Sequence, residues 1–198
     1  MSGTALRGCW LVGLRGAGKT SLGEALAEEL GWAFVDLDER IAEREGKPVG
    51  QVLQELGVEA FRSLEHRALM AELGGLKLGR RVLALGGGAV ENPDVVAVLE
   101  ELRLQHGYKG VWVQCPLEEL ELRIERSGGP SVRPRLVGRS LAEECRLLLA
   151  RRAGHYARLS DLRFDNPGGR LRDLAGALRA RLEALASVGA GPPPHPQA

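Results

Sequence analysis

The chain has 198 residues, a formal net charge of +1 and an apolar fraction of 44%. This length fits one domain with a substantial core, and the nearly neutral charge by itself favours no particular charged partner. No apolar stretch approaches the roughly 20 residues that a membrane span requires.

Short apolar runs alternate with longer helical patterns along the chain. The runs at 9–14, 33–38, 81–88, 110–115 and 162–165 predict strands. The segments 20–31, 39–46, 48–75, 93–104, 116–126, 141–160 and 169–186 predict helices. This alternation predicts βαβ units and a mostly parallel sheet, whose ligands bind beyond the carboxyl ends of the strands.

The pattern indicates one domain over residues 1–186. Residues 187–198 are rich in proline and glycine and are predicted to be a disordered tail. The three cysteines form no CxxC pair, and the amino-terminal segment lacks a signal-peptide pattern. We therefore expect reduced thiols and a cytoplasmic protein, without a disulfide framework or a zinc site.

Positive charge is concentrated late in the chain. Residues 121–160 contain nine arginines and four acidic residues, and Tyr156 is the only aromatic residue among them. Proteins that bind single-stranded nucleic acid usually present several aromatic side chains for base stacking. The stretch therefore favours a small phosphorylated ligand over a nucleic acid.

Residues 13–20, GLRGAGKT, match the P-loop pattern GxxxxGK[ST]. In this pattern, backbone amides surround phosphate groups, the lysine reaches the terminal phosphates, and the hydroxyl binds magnesium. The segment lies between a predicted strand and a predicted helix, which is the context that the motif requires. The first βα turn does not follow GxGxxG, so a dinucleotide-binding fold is disfavoured.

Two aspartates and three glycines lie at the ends of the next two predicted strands. If Asp36 and Asp38 end a strand, both carboxylates share one face, and they can divide between a metal and a substrate hydroxyl. The alternative is helix capping, which explains Asp38 better than Asp36. Gly86, Gly87 and Gly88 at a strand end predict close approach of a ligand, with an irregular turn as the alternative. Read alone, Arg62 and Glu65 form a surface pair on a helix.

Six motifs occur in the order, and near the spacing, of one enzyme family. They are GLRGAGKT (13–20), DLDERI (36–41), FRSLE (61–65), GGGAV (86–90), RPRL (133–136) and RRAGHY (151–156). Together they resemble shikimate kinase, which uses ATP to phosphorylate the 3-hydroxyl of shikimate in aromatic amino-acid (chorismate) biosynthesis. The resemblance covers about residues 8–180. It implies a three-layer α/β/α fold of the P-loop kinase type, with a five-stranded parallel sheet and a mobile lid at about 127–139.

The resemblance implies a set of contacts with ATP and Mg²⁺. Phosphate contacts fall on Gly16, Ala17, Gly18, Lys19, Thr20 and Ser21. Thr20 is expected to bind Mg²⁺, and Asp36 to support the ion through water. Arg133 is expected to reach over the phosphates from the lid and, like Lys19, to act in catalysis. Arg126 matches an arginine near the adenine, and DNPGG (165–169) matches the loop beneath it.

The resemblance also implies the contacts with shikimate. Asp38 is expected to contact the hydroxyls and to act as the catalytic base. Arg62 and Arg152 are expected to bind the carboxylate, and Gly86 and Gly87 to form hydrogen bonds with the substrate. The two arginines are expected to repel each other in the empty site until a carboxylate binds.

The sequence departs from the family pattern at three positions. Val58 replaces a common glutamate, Leu85 replaces a small or hydroxyl residue, and Arg135 replaces a leucine. Two other functions remain open, a gluconate kinase-like activity and a non-catalytic domain that senses shikimate. We expect a monomer whose ligands are shikimate and ATP, with neither nucleic acid nor membrane as partner.

Overall fold

Five parallel strands form the central sheet, as the alternating pattern predicts. The structure is a computed structural model that describes residues 6–74, 79–127, 137–138 and 140–188. The strands are β1 (Gly8–Val12), β2 (Ala33–Asp36), β3 (Arg81–Ala84), β4 (Tyr108–Gln114) and β5 (Leu162–Asp165), in the spatial order β2-β3-β1-β4-β5. All four pairings in the sheet are parallel.

Helices connect these strands. They are α1 (Lys19–Leu30), α2 (Leu37–Glu45), α3 (Val49–Leu73), α4 (Pro93–Gln105), α5 (Leu117–Arg126), α6 (Leu141–Arg158) and α7 (Leu171–Val188), and a short 3-10 helix (Ala89–Glu91) precedes α4. Helix α3 is kinked at Gly57, whose φ of 76° is in the left-handed region that favours glycine. None of the helices in the described part of the chain is long and apolar enough to span a membrane.

Two buried apolar clusters lie on the two faces of the sheet. Cys9 and Leu11 of β1 pack in one cluster with side chains of α1 and α7. Trp10 and Val12 pack in the other cluster with side chains of α2 to α6. Alternate residues of a strand point to opposite faces, so the molecule has three layers, α/β/α. This result confirms the predicted fold class, and burial on both faces explains why β1 is apolar throughout.

The carboxyl ends of three adjacent strands meet at one edge of the sheet. The P-loop (residues 13–20) follows β1, Asp36 ends β2, and the three glycines lie just beyond β3. Strand β1 lies between β3 and β4, so the chain order reverses on its two sides. Open α/β sheets bind ligands at such a point.

The last helix extends into the segment that was predicted to be a disordered tail. Helix α7 continues to Val188, which lies inside the segment 187–198 predicted as disordered. Residues 189–198 lie outside the described residues.

Gly110 lies on β4 where a side chain does not fit. A Cβ there would overlap the backbone oxygen of Leu159 and lie 2.9 Å from the ring of Trp10, whose Nε1 donates a 3.0 Å hydrogen bond to that same oxygen. We expect Gly110→Ala to lower the free energy of unfolding by about 2 kcal/mol, since overpacking a rigid core typically costs about 1–3 kcal/mol. Urea titration measures the change. Gly154→Ala is the control, because Gly154 is exposed on α6 and nothing lies within 4 Å of its Cβ position. Equal stability of the two variants would contradict this packing.

Candidate active site

The glycine-rich segment forms a loop between β1 and α1, as predicted. Gly13, Gly16 and Gly18 have φ values of 148°, 79° and 85°, which favour glycine. Lys19 begins α1, and its Nζ donates hydrogen bonds of 3.0 Å to the carbonyls of Gly13 and Leu14. Among the described residues, no side chain caps the first turn of α1. The loop therefore offers backbone amides and a lysine to an anion.

Asn166, just after β5, supports the P-loop. Its Nδ2 donates a 2.8 Å hydrogen bond to the carbonyl of Ala17, and its own N–H donates to the carbonyl of Gln114 at 2.7 Å. A Cβ on Gly18 would overlap Asn166 Nδ2. Asn166 is buried, so this contact fixes the loop from within the protein. The sequence places Asn166 only in the segment matched to the adenine loop, and its support of the P-loop was missed.

Asp36 connects the P-loop with α2. Its Oδ2 accepts a 2.6 Å hydrogen bond from the Thr20 hydroxyl, and its Oδ1 accepts the N–H of Asp38 at 2.9 Å. A hydroxyl and a carboxylate this close are ligand types that Mg²⁺ accepts, and Mg²⁺ usually completes its shell with water and phosphate oxygens. The residues present therefore fit a magnesium site beside the P-loop.

Two sequence-based arguments about these aspartates are wrong. Asp36 and Asp38 do not share a strand face, because β2 ends at Asp36 and α2 begins at Leu37. The capping residue is Asp36, and Asp38 lies in the first turn of α2. A carboxylate at the N-cap accepts the first amides of the helix, a role that the sequence pattern offered, as the alternative, for Asp38 rather than for Asp36. The helix start directs Asp38 toward the glycines after β3.

A cavity of about 390 Å³ lies beside the P-loop. This volume is within the range of small-molecule sites, roughly 300–1,000 Å³. All five residues predicted to bind the substrate line it, namely Asp38, Arg62, Gly86, Gly87 and Arg152. The structure thus brings together residues from α2, α3, α6 and the segment after β3.

The three glycines after β3 permit close approach, as predicted. A Cβ on Gly86 would lie 2.6 Å from Asp38 Oδ1 and 3.2 Å from Glu65 Oε1. A Cβ on Gly88 would lie 2.5 Å from Arg62 Nη2 and 3.0 Å from Arg152 Nη2. The groups that approach the glycines are side chains of the cavity itself. The glycines therefore let one aspartate, one glutamate and two arginines converge.

The arginine pair, Arg62 and Arg152, shares a carboxylate. Glu91 Oε2 is 3.2 Å from Arg62 Nη2, 3.1 Å from Arg152 Nε and 2.9 Å from Arg152 Nη2. A protein carboxylate thus already lies between the two arginines and offsets the repulsion expected between them in the empty site. Burial would raise the pKa of Glu91, but the hydrogen bond and charge of Arg152, with the charges of Arg151 and Arg62, lower it overall.

Arg62 and Glu65 are paired, but not at the surface. Arg62 Nη1 donates a 2.6 Å hydrogen bond to Glu65 Oε2, and Glu65 is only 2% exposed. Burial raises the pKa of Glu65 to about 7, although Arg62 favours the ionised form, and the charge of Asp38 raises the pKa further. Near neutral pH, Glu65 is therefore only partly ionised.

Sequence reasoning missed two further residues around the cavity. The Tyr156 hydroxyl donates a 2.6 Å hydrogen bond to the carbonyl of Gly87 and thereby holds the glycine segment. Burial raises the pKa of Tyr156, so its hydroxyl keeps its proton. Arg15 of the P-loop lines the cavity and forms an ion pair with the fully buried Glu144 of α6. An arginine inside the loop motif was the available signal for this contact.

The remaining predicted nucleotide contacts lie at the edge of the described structure. Ser21 is exposed in the first turn of α1, and Arg126 is exposed at the end of α5. Arg133 lies outside the described residues, as does most of the predicted lid, of which only residues 127, 137 and 138 are described.

The residues that depart from the family pattern lie in different parts of the molecule. Val58 is 58% exposed and lines the cavity, whereas Leu85 is buried in the apolar cluster that contains Trp10. Val58 is therefore in a position to contact a ligand, and Leu85 packs in the core. Arg135 lies outside the described residues.

Comparison with known proteins identifies the family. A family model described as shikimate kinase matches residues 15–182. The shikimate kinase of Mycobacterium avium (strain 104) is 37% identical over 177 residues, covering 86% of this chain and 92% of that protein. That of Mycobacterium tuberculosis (strain ATCC 25177 / H37Ra) is 36% identical over 176 residues, covering 85% and 92%.

Solved structures agree with this assignment. The shikimate kinase of Acinetobacter baumannii, in complex with shikimate, has a TM-score of 0.79 at 28% identity and covers 92% of this chain and 96% of that one. The enzyme of Bacteroides thetaiotaomicron has a TM-score of 0.72 at 29% identity, with 89% and 98% covered. A gluconokinase of Sinorhizobium meliloti, at 18% identity and a TM-score of 0.57, shares the fold alone. The chain belongs to the shikimate kinase family.

Proposed function

We propose that the chain transfers the terminal phosphoryl group of ATP to the 3-hydroxyl of shikimate. The observation that carries the proposal is one cavity, beside the P-loop, that holds both a carboxylate for the hydroxyl and an arginine pair for a carboxylate. The relative of known structure that was solved with shikimate supports the choice of substrate. The activity belongs to aromatic amino-acid biosynthesis.

The P-loop residues position the phosphate donor in this proposal. The amides of residues 16–21 bind phosphate oxygens, and Lys19 leaves the carbonyls of Gly13 and Leu14 to reach the terminal phosphates. Thr20 would hold Mg²⁺ directly and Asp36 through water, and the ion would neutralise phosphate charge. Arg126 contacts the adenine and Arg133 the phosphates. Phosphoryl transfer depends mainly on such positioning and charge neutralisation.

The acceptor is held from the other side of the cavity. The arginine pair binds the carboxylate of shikimate, for which guanidinium groups supply paired donors. Asp38 accepts the proton of the 3-hydroxyl. At the same time, the hydroxyl oxygen of shikimate bonds to the terminal phosphorus of ATP, and the bond from that phosphorus to ADP breaks. A lid at 127–139 would exclude water during transfer and so limit hydrolysis of ATP.

Two other functions are less well supported. A gluconate kinase would use the same fold, and gluconate also carries a carboxylate and hydroxyls, but the matching family model and the relative at 37% identity are shikimate kinases, whereas the gluconokinase is only 18% identical. A domain that only senses shikimate would not require Lys19, which is present. We also propose a cytoplasmic monomer, and the three free cysteines support the reducing compartment.

Phosphorus NMR tests the proposed reaction. The chain is incubated with ATP, Mg²⁺ and shikimate, and the product is examined for a phosphomonoester coupled to the proton on carbon 3. A product phosphorylated at another carbon would contradict the placement of Asp38. ADP and inorganic phosphate without a phosphomonoester would contradict the kinase activity.

Removal of either member of the arginine pair should weaken shikimate binding. We expect Arg62→Leu and Arg152→Leu each to raise the Michaelis constant for shikimate, with a loss of about 1.5–3 kcal/mol for a hydrogen bond to a charged group. The Michaelis constant for ATP should change little. The double variant should lose less than the sum, because both arginines act on one carboxylate.

Arg158→Leu is the matched control for these variants. Arg158 is also on α6, but it is 63% exposed and pairs with Glu100, and such surface pairs contribute little. Titration calorimetry without nucleotide measures binding directly. Normal shikimate binding by both single variants would contradict the role of the arginine pair.

A further inference from the structure

Glu91 lies within the cavity and contacts three arginines. Its Oε2 bridges Arg62 and Arg152 at 2.9 to 3.2 Å, and its Oε1 pairs with Arg151. The Glu91 side chain is 10% exposed and Arg152 is 7% exposed, whereas Arg151 is 64% exposed at the rim. One nearly buried carboxylate therefore joins the two arginines assigned to the substrate and a third at the cavity edge.

The two guanidinium groups of the arginine pair converge over Gly88. A Cβ there would lie within 3.0 Å of Nη2 atoms from both side chains. Two guanidinium groups that approach the same point carry like charges, and these charges repel strongly where water is scarce. The carboxylate of Glu91 offsets this repulsion in the absence of substrate, because both arginines donate to the same oxygen atom.

We propose that Glu91 is a positioning residue, which holds Arg62 and Arg152 side by side so that they are ready to bind the substrate carboxylate. The proposal rests on the proposed function. Without Glu91, the two guanidinium groups would separate, and shikimate would have to reassemble them when it binds. Preorganisation of this kind raises affinity by lowering the cost of binding.

The charge of the cluster still favours an incoming carboxylate. Three arginines surround Glu91, and burial raises the pKa of Glu65 to about 7, so that Glu65 carries only part of a negative charge near neutral pH. Asp38 also lines the cavity, so the three arginines face three carboxylates, and the partial protonation of Glu65 leaves the cluster slightly positive with Glu91 in place.

Glu91→Gln tests the proposal, because it removes the charge and nearly keeps the shape. We expect the dissociation constant and the Michaelis constant for shikimate to rise about tenfold, while the turnover number changes less than about threefold. Glu91→Asp keeps the charge but shortens the reach, so it should restore part of the affinity. Glu100→Gln is the control, because Glu100 also pairs with an arginine of α6 but lies at the surface.

A double-variant cycle distinguishes positioning from a general structural effect. In an Arg152→Leu background, Glu91→Gln should change shikimate affinity less than about twofold, because one of the two positioned groups is gone. An undiminished tenfold loss in that background would overturn the proposal. So would unchanged or tighter binding by Glu91→Gln at an equal folded fraction, since tighter binding would mean that Glu91 competes with the substrate.

Two results separate this proposal from the proposed function. If the wild-type chain does not bind shikimate, the proposed function fails and the role of Glu91 fails with it. If the wild type binds shikimate and Glu91→Gln binds equally well, only the role of Glu91 is wrong. Should Glu91→Gln not fold, Glu91→Ala decides the question, because it also removes the carboxylate, and wild-type affinity in that variant would overturn the proposal.

Discussion

Replacement of Lys19 by methionine is expected to reduce turnover by a factor of at least about one hundred, or about 2.7 kcal/mol at 1.36 kcal/mol per factor of ten. The physical reason is that the lysine neutralises charge on the phosphoryl group during transfer. In the structure, Lys19 Nζ is held 3.0 Å from the carbonyls of Gly13 and Leu14, so it is already positioned within the loop. Steady-state kinetics at saturating ATP and shikimate measures the loss.

The matched control for this variant is Lys47→Met. Lys47 is 40% exposed and pairs with Glu55 at the surface, so its loss should leave turnover nearly unchanged. Loss of the two Lys19 hydrogen bonds also disturbs the loop, and circular dichroism therefore checks the fold of both variants. Activity of Lys19→Met within about tenfold of the wild type would contradict the assigned role.

Asp38→Asn should have an effect of similar size on turnover. The amide has nearly the same shape as the carboxylate but cannot accept the hydroxyl proton, and general-base catalysis typically contributes a factor of about 10² to 10⁴. We expect turnover to fall by about one hundredfold or more and ATP affinity to change little. Asp94→Asn is the control, because Asp94 lies in the equivalent first turn of α4 and is exposed.

A different result for Asp38→Asn would change the roles assigned to the two aspartates. If ATP affinity falls sharply in Asp38→Asn, then Asp38 belongs to the magnesium site, and another group must accept the proton. Asp36 is a poor replacement, because its Oδ2 already accepts from Thr20 and its Oδ1 from the N–H of Asp38. The two oxygens of Asp36 thus favour a fixed, supporting role.

The sequence predicted the sheet but misplaced one element boundary that matters for the site. The order of apolar runs and helical patterns was sufficient for the fold, because parallel α/β sheets follow regular connection rules. The run AFVDLD nevertheless has a strand-like alternation through Leu37, which is buried in the structure as a helix residue. Burial of Leu37 satisfies both patterns, so the sequence could not distinguish a strand end from a helix start.

The residues that organise the cavity were harder to predict than those that match motifs. Lys19, Asp38, Arg62 and Arg152 were identified through motifs, and the last three do line one cavity. Glu91, in contrast, is 61 residues from Arg152 along the chain. A single sequence does not specify such long-range pairs, because the contact depends on how α6 packs against the segment after β3.

The central claim is the transfer of a phosphoryl group from ATP to shikimate, and a coupled assay of ADP release tests it most directly. Initial rates are measured with shikimate, quinate and gluconate at equal ATP and Mg²⁺ concentrations. We expect kcat/KM for shikimate to exceed that for either other acceptor by at least about one hundredfold, because the flat, rigid ring of shikimate fixes the spacing between its carboxylate and its 3-hydroxyl, which the saturated ring of quinate and the open chain of gluconate do not reproduce. A higher kcat/KM with gluconate, or no rate above hydrolysis of ATP with any acceptor, would contradict the account.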